Sequence, residues 1–182
     1  MDARLISTLG ALGVVGGYIA YDASNSDPTI YPYSRQQAQT ILVAAKTTIP
    51  RRDKDGQIQI WSTGRSNKGV MLNMKYASWA TLITCDVTIT EVPSNKVRVV
   101  PDCGADPKHE SAVARTSDEL RVPMFAEHVE STLNKRAFER ERVTRKEVAI
   151  TFKNLNAMQN EAFQAYADDQ RWLREAEATK RR

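Results

Sequence analysis

Four side chains in this sequence have soft-nucleophile, metal-ligand or near-neutral acid–base chemistry: Cys85, Cys103, His109 and His128. The cysteines are too far apart for a Cys-x-x-Cys redox pair or a haem attachment site. His109 sits in Asp106-Pro-Lys-His-Glu110, where an acidic loop supplies fewer ligands than a metal centre requires. His128 borders an apolar helical stripe, the position of a packing residue and not of a general base. The sequence contains no Gly-x-Ser-x-Gly elbow, phosphate loop, dinucleotide fingerprint or His-Glu-x-x-His pair. It therefore nominates no catalytic residue, no metal ligand and no cofactor. The chemistry left to the two cysteines is a bond between them.

That bond depends on strand register. In Ile83–Thr90 the residues Ile83, Cys85, Val87 and Ile89 share one face; in the next run Val97, Val99, Pro101 and Cys103 share one face. A three-residue loop, Pro93-Ser94-Asn95, with Asn95 left-handed, sets Val92 opposite Lys96 and Ile89 opposite Val99. It also sets Val87 opposite Pro101 and Cys85 opposite Cys103. Directly opposed residues lie near bonding separation, so a Cys85–Cys103 disulfide is expected. The alternative is two buried free thiols, as in a reducing compartment. Pro101 cannot donate to a ladder, which puts its strand at an edge. Upstream, Ile58 and Ile60 alternate with glutamines, and Val70, Leu72, Met74 and Tyr76 alternate after the loop Gly64–Gly69. These runs pair with Ile60 opposite Met74.

Helices flank the strands. Ser34-Arg-Gln-Gln37 reads as a capping box, followed by Ala38, Ile41, Leu42 and Ala45 on one face and closed by Pro50. After a polar loop from Gly104 to Thr116, Ser117 or Asp118 opens a second helix with the stripe Phe125, Val129, Leu133 and Ala137. Thr144-Arg-Lys-Glu147 is a further capping box. No glycine or proline follows up to Thr179, so a helix of about 50 Å is expected. A competing reading makes Val148, Ile150 and Phe152 a fifth strand.

At the other end, Leu5–Tyr21 is an uncharged stretch of about 26 Å as a helix, at the short limit for a bilayer crossing. Gly10, Gly13, Gly16, Gly17 and Ala20 give it small-x-x-x-small pairs for helix packing in lipid. Arg4 before the stretch and Asp22 after it orient the N-terminus to the cytoplasm. A cleaved signal peptide is the rival reading.

The expected architecture is α+β. A single N-terminal transmembrane helix (1–27, with its linker) precedes an antiparallel four-stranded meander packed by helices (28–143). A long C-terminal helical arm (144–182) follows. At 41% hydrophobic and 26% charged, the chain is not a disordered one, and a net charge of +4 demands no nucleic acid. The function expected by elimination is a non-catalytic accessory or structural subunit of a larger inner-membrane complex, respiratory or photosynthetic. It would brace or cap that complex from the periplasmic side. Its partners would be other membrane-protein subunits, met by the glycine-lined helix and by Tyr166, Trp172 and Leu173 of the arm, together with membrane lipids. The alternative is a tethered module binding a hydrophobic ligand between sheet and helix, lined by Trp61, Met71, Met74 and Trp79.

Overall fold

A computed structural model of the chain describes residues 27–50, 56–104 and 111–180. The chain enters through a turn in which the Asp27 carboxylate accepts from the Thr29 N–H (2.9 Å) and hydroxyl (2.6 Å). That turn delivers β1, Ile30–Tyr31, antiparallel to a later strand with Ile30 opposite Arg98. Ser34 then opens α1, Arg35–Ala44, through a capping box with both halves formed, as its sequence predicts. Ala38 and Leu42 are the buried face of α1.

The helix stops at Ala44, five residues short of the predicted closure before Pro50. Lys46–Pro50 is β2, paired with β3. The β-branched run Thr47-Thr48-Ile49 loses less rotamer freedom in a strand than in a helix, and a sheet edge was open to receive it. Pro50 is tolerated there because β2 is an outer strand.

Four strands follow: β3 (Gln57–Arg65), β4 (Gly69–Lys75), β5 (Ile83–Val92) and β6 (Lys96–Asp102). Ile60 faces Met74, Val92 faces Lys96, Ile89 faces Val99 and Val87 faces Pro101, the register read from the sequence. Ser94 and Asn95 both adopt positive φ in the tight loop, one residue more than expected. Gly69 is required by close approach: a Cβ there would collide with the backbone carbonyl of Val87.

The sheet is a curled, six-stranded antiparallel one in the order β1-β6-β5-β4-β3-β2. This corrects the four-stranded expectation by one short strand at each edge. It also places β6 inside the sheet over Val97 and Arg98, where β1 covers it; Pro101 lies beyond that cover.

One face of the sheet is buried, through Ile60, Val70, Leu72, Met74, Val87 and Val97. Of the next two helices, α2 (Ala112–Glu119) and α3 (Val122–Leu133), α3 covers that face together with α1, while α2 packs mainly on the last helix of the chain. Met124, Phe125, Val129 and Leu133 fill the core. Ser111 caps α2, so the polar loop ends earlier than expected and neither Ser117 nor Asp118 is a cap. The predicted stripe loses Ala137, which is exposed beyond the end of α3.

The last element, α4, is one continuous helix from Arg140 to Lys180 (41 residues). It runs about 60 Å, and no strand interrupts it at 148–152. It starts before the predicted capping box. The Thr144 hydroxyl bonds back to the Arg140 carbonyl within the helix instead of capping it.

The transmembrane expectation rests on Leu5–Tyr21, which lies outside the described residues, as do Gly10, Gly13, Gly16, Gly17 and Ala20. No helix among the described residues is long and apolar enough to cross a membrane. An α+β fold with a six-stranded curled sheet and a long C-terminal helix therefore replaces the span-plus-meander architecture.

Candidate functional site

The meander brings Cys85 and Cys103 together as a disulfide with a Cα separation of 4.0 Å. Cys85 is buried in the core face of β5; Cys103 follows β6 and is half-buried. The bond ties the open end of the β5–β6 hairpin.

His128 lies fully inside, on α3. Its Nδ1 is 2.7 Å from the Thr47 hydroxyl of β2, and its Nε2 has no hydrogen-bond partner among the described residues. Burial pushes its pKa down to about 4, because a charged ring would need an acceptor at Nε2. An unfolded histidine protonates near pH 6.5. Between those values the unfolded chain binds the extra proton, so stability is complete above about pH 6.5 and declines as pH falls toward 4. The expected loss is about 2 kcal/mol at pH 5, read by urea unfolding at pH 7.5 and 5. A stability that is flat over that interval would contradict it. The ring is closed off from any substrate and serves packing, as its neighbours in the sequence imply.

The same helix carries a buried ion cluster that sequence reading missed. Glu127 is 1% exposed. Arg136 grips both its oxygens, with Nη2 to Oε2 at 2.9 Å, and the Glu139 N–H donates to Oε1 at 2.9 Å. Arg136 also contacts Glu130 (3.1 Å), which Arg142 holds at 2.7 Å. Burial raises the Glu127 pKa, but the hydrogen bonds from Arg136 and the Glu139 backbone outweigh it and hold the carboxyl below its ordinary range. Close by, burial and the Glu130 charge push the Tyr31 phenol up to about 12. Each charge here is consumed by another, so the cluster fastens α3 to the start of α4 and has no free group for substrate. Among the described residues no three His, Cys, Asp or Glu side chains gather to hold a metal.

The residues expected to line a ligand cavity do not converge. Met74 is packed in the core with no exposure, Met71 lies on the opposite face of β4 by strand alternation, and Trp79 is 79% exposed.

What stands unsatisfied is α4. Its first part packs on the body: Val143 is buried, Asn154 and Lys153 reach Glu119 of α2 (3.2 and 3.3 Å), and Glu161 accepts from the Ala112 N–H at the start of α2 (2.6 Å). From Ala162 to Lys180 the helix continues for about 28 Å, almost wholly exposed. Tyr166 is 66% exposed and Trp172 65%, and Leu173 is exposed as well. Phe152 (72%) and Phe163 are open on the same helix. The three residues predicted for a docking arm thus all project from it. No family model, curated protein or solved structure matches this chain. The surface must be read from its own chemistry. Scattered apolar residues are normal on a protein surface, but three aromatics on a free helical rod are the composition of interface cores.

Proposed function

We propose that this chain is a non-catalytic accessory subunit that joins a larger assembly through α4, in an oxidising, extracytoplasmic compartment. The observation that carries the reading is the free end of α4: a single helix leaves the body after Glu161 and holds Phe163, Tyr166, Trp172 and Leu173 in water. Exposing large rings on a long rod has no benefit within the chain and costs the apolar burial they would gain at a partner. The disulfide supports the compartment, since such bonds persist where thiols are not kept reduced. The filled core face of the sheet favours an assembly role over a ligand-binding one. No membrane attachment forms part of the proposal.

The test is truncation after Glu161, which keeps the bonds from Lys153, Asn154 and Glu161 to α2. Under mild extraction the full chain should migrate with other subunits and the truncated chain without them. The melting temperature of the body should shift by no more than about 2 °C. A full chain that runs as a lone 20.4 kDa species at all concentrations would refute the reading.

A further inference from the structure

We propose that α4 pairs with the α4 of a second copy of this chain, antiparallel, over Arg145–Asp169. The inference rests on α4 being the docking element and names its partner.

Along α4 the apolar residues Val148, Phe152, Leu155, Ala162, Tyr166 and Leu173 fall on one seam. Their spacings are those of the alternating three-four repeat of a coiled coil. Gln159, Arg145 and Asp169 occupy the remaining seam positions. Most of the seam is open: Val148, Phe152, Tyr166 and Leu173 are exposed, and Leu155 is half-buried. The residues that hold α4 to the body, Val143, Lys153, Asn154 and Glu161, lie about 120–140° round the helix from the seam. A second helix can therefore occupy the seam without displacing α2 or α3.

The charges select the occupant. Arg145 and Asp169 are exposed and have no charged partner among the described residues. In a parallel pair each would face its own like charge. In an antiparallel pair, one register puts Arg145 against the second copy's Asp169, twice by symmetry. That register also sets Val148 against Tyr166, Phe152 against Ala162 and Leu155 against Gln159. Large meets small, and seam positions of one type meet the other, as antiparallel packing requires. The dyad passes beside Ala157, where Asn156 and Met158 meet their own mates.

The wider charge distribution agrees. Within the paired segment, residues 145–153 contain three basic side chains and one acidic, whereas the residues they face, 161–169, contain Glu161, Asp168 and Asp169 and no basic one. Head-to-tail overlay brings the two together. Two aromatics and their aliphatic neighbours would bury about 700 Å² per copy, close to the ~800 Å² of an ordinary stable interface.

The experiment is sedimentation equilibrium of the purified full chain, with Arg145→Asp, Asp169→Arg and the double reversal. The wild type should dimerise, each single reversal should weaken the dimer at least about tenfold, and the double reversal should restore it to within about threefold. Circular dichroism checks that helicity is unchanged. Pairing through any other segment is insensitive to these reversals, so a dimer that ignores them overturns the proposal. So does a double reversal that fails to rescue, or a chain that stays monomeric at about 100 µM. If the chain is monomeric yet truncation after Glu161 still strips other subunits from it, self-pairing alone falls; if truncation also changes nothing, the docking role of α4 falls with it.

Discussion

Arg136→Met is expected to destabilise the fold by about 3–5 kcal/mol at pH 7, because it strands a buried carboxylate. Glu127 is 1% exposed and depends on the Arg136 fork for both oxygens, with only the Glu139 N–H (2.9 Å) remaining to it. Methionine keeps most of the arginine stem's volume, so the loss isolates the charge from the packing. In a chain of this size it corresponds to a fall of about 10 °C in melting temperature.

The pH dependence identifies the cause. In the wild type the Glu127 pKa is held below the ordinary range, so the pair's contribution is present above about pH 4.3 and is lost only as pH falls below it. Without Arg136 burial dominates and raises that pKa, so the variant is relieved by protonation. The gap between the two proteins should narrow as pH is lowered from 7 to about 4, while the His128 effect, common to both, cancels. Adding Glu127→Gln to the variant should recover part of the loss at pH 7. A cost under about 1 kcal/mol in urea unfolding at pH 7 would show that water reaches Glu127 and that the cluster is peripheral.

That cluster was not legible in the sequence, and the reason is local. Glu127 lies among charged residues of α3 that read as a solvated side, and Arg136 comes after the helix has ended at Leu133. Lys135 turns the chain with φ 53°, and only this left-handed reversal brings Arg136 back over α3. A helix continued through Ala137, as its apolar spacing implied, would have carried Arg136 elsewhere. The two edge strands were hidden for related reasons. β1 has only two residues, between prolines at 28 and 32, and its partners Arg98 and Val97 lie 68 and 66 positions later. β2 follows α1 with no glycine or proline between them, so period alone could not separate them.

What was legible was what sequence encodes with short-range rules: the capping box at Ser34, the β5–β6 register and the unbroken helix up to Thr179. The orientation of α4 was not among these. Its apolar seam resembles a core-facing stripe, yet Val148, Phe152 and Tyr166 are exposed and the body is gripped largely by Asn154, Lys153 and Glu161. Periodicity identifies a face meant for burial but does not say whether its partner belongs to the same chain.

Breaking the Cys85–Cys103 bond, by reductant or by Cys85→Ser with Cys103→Ser, should cost about 3 kcal/mol and lower the melting temperature by about 6–12 °C. The bond joins residues 18 apart, and the turn between them is already held by the β5–β6 ladder in the folded state. Its effect therefore falls mainly on the unfolded chain, where it removes open conformations of that loop. The native structure should change little: Cys103→Ser alone leaves a buried thiol at Cys85, which behaves as a small hydrophobe in a core. Because Cys85 is buried, reduction of the folded protein should require opening of the hairpin end, and it should be slower than reduction in urea. Melting curves with and without reductant, together with thiol titration of the native protein, test both statements. Rapid native reduction with an unshifted melting temperature would mean that the cysteines contribute nothing as a pair. The proposed extracytoplasmic setting depends on the same balance, because a chain that relies on this bond for a sizeable share of its stability would be poorly suited to a compartment that keeps thiols reduced.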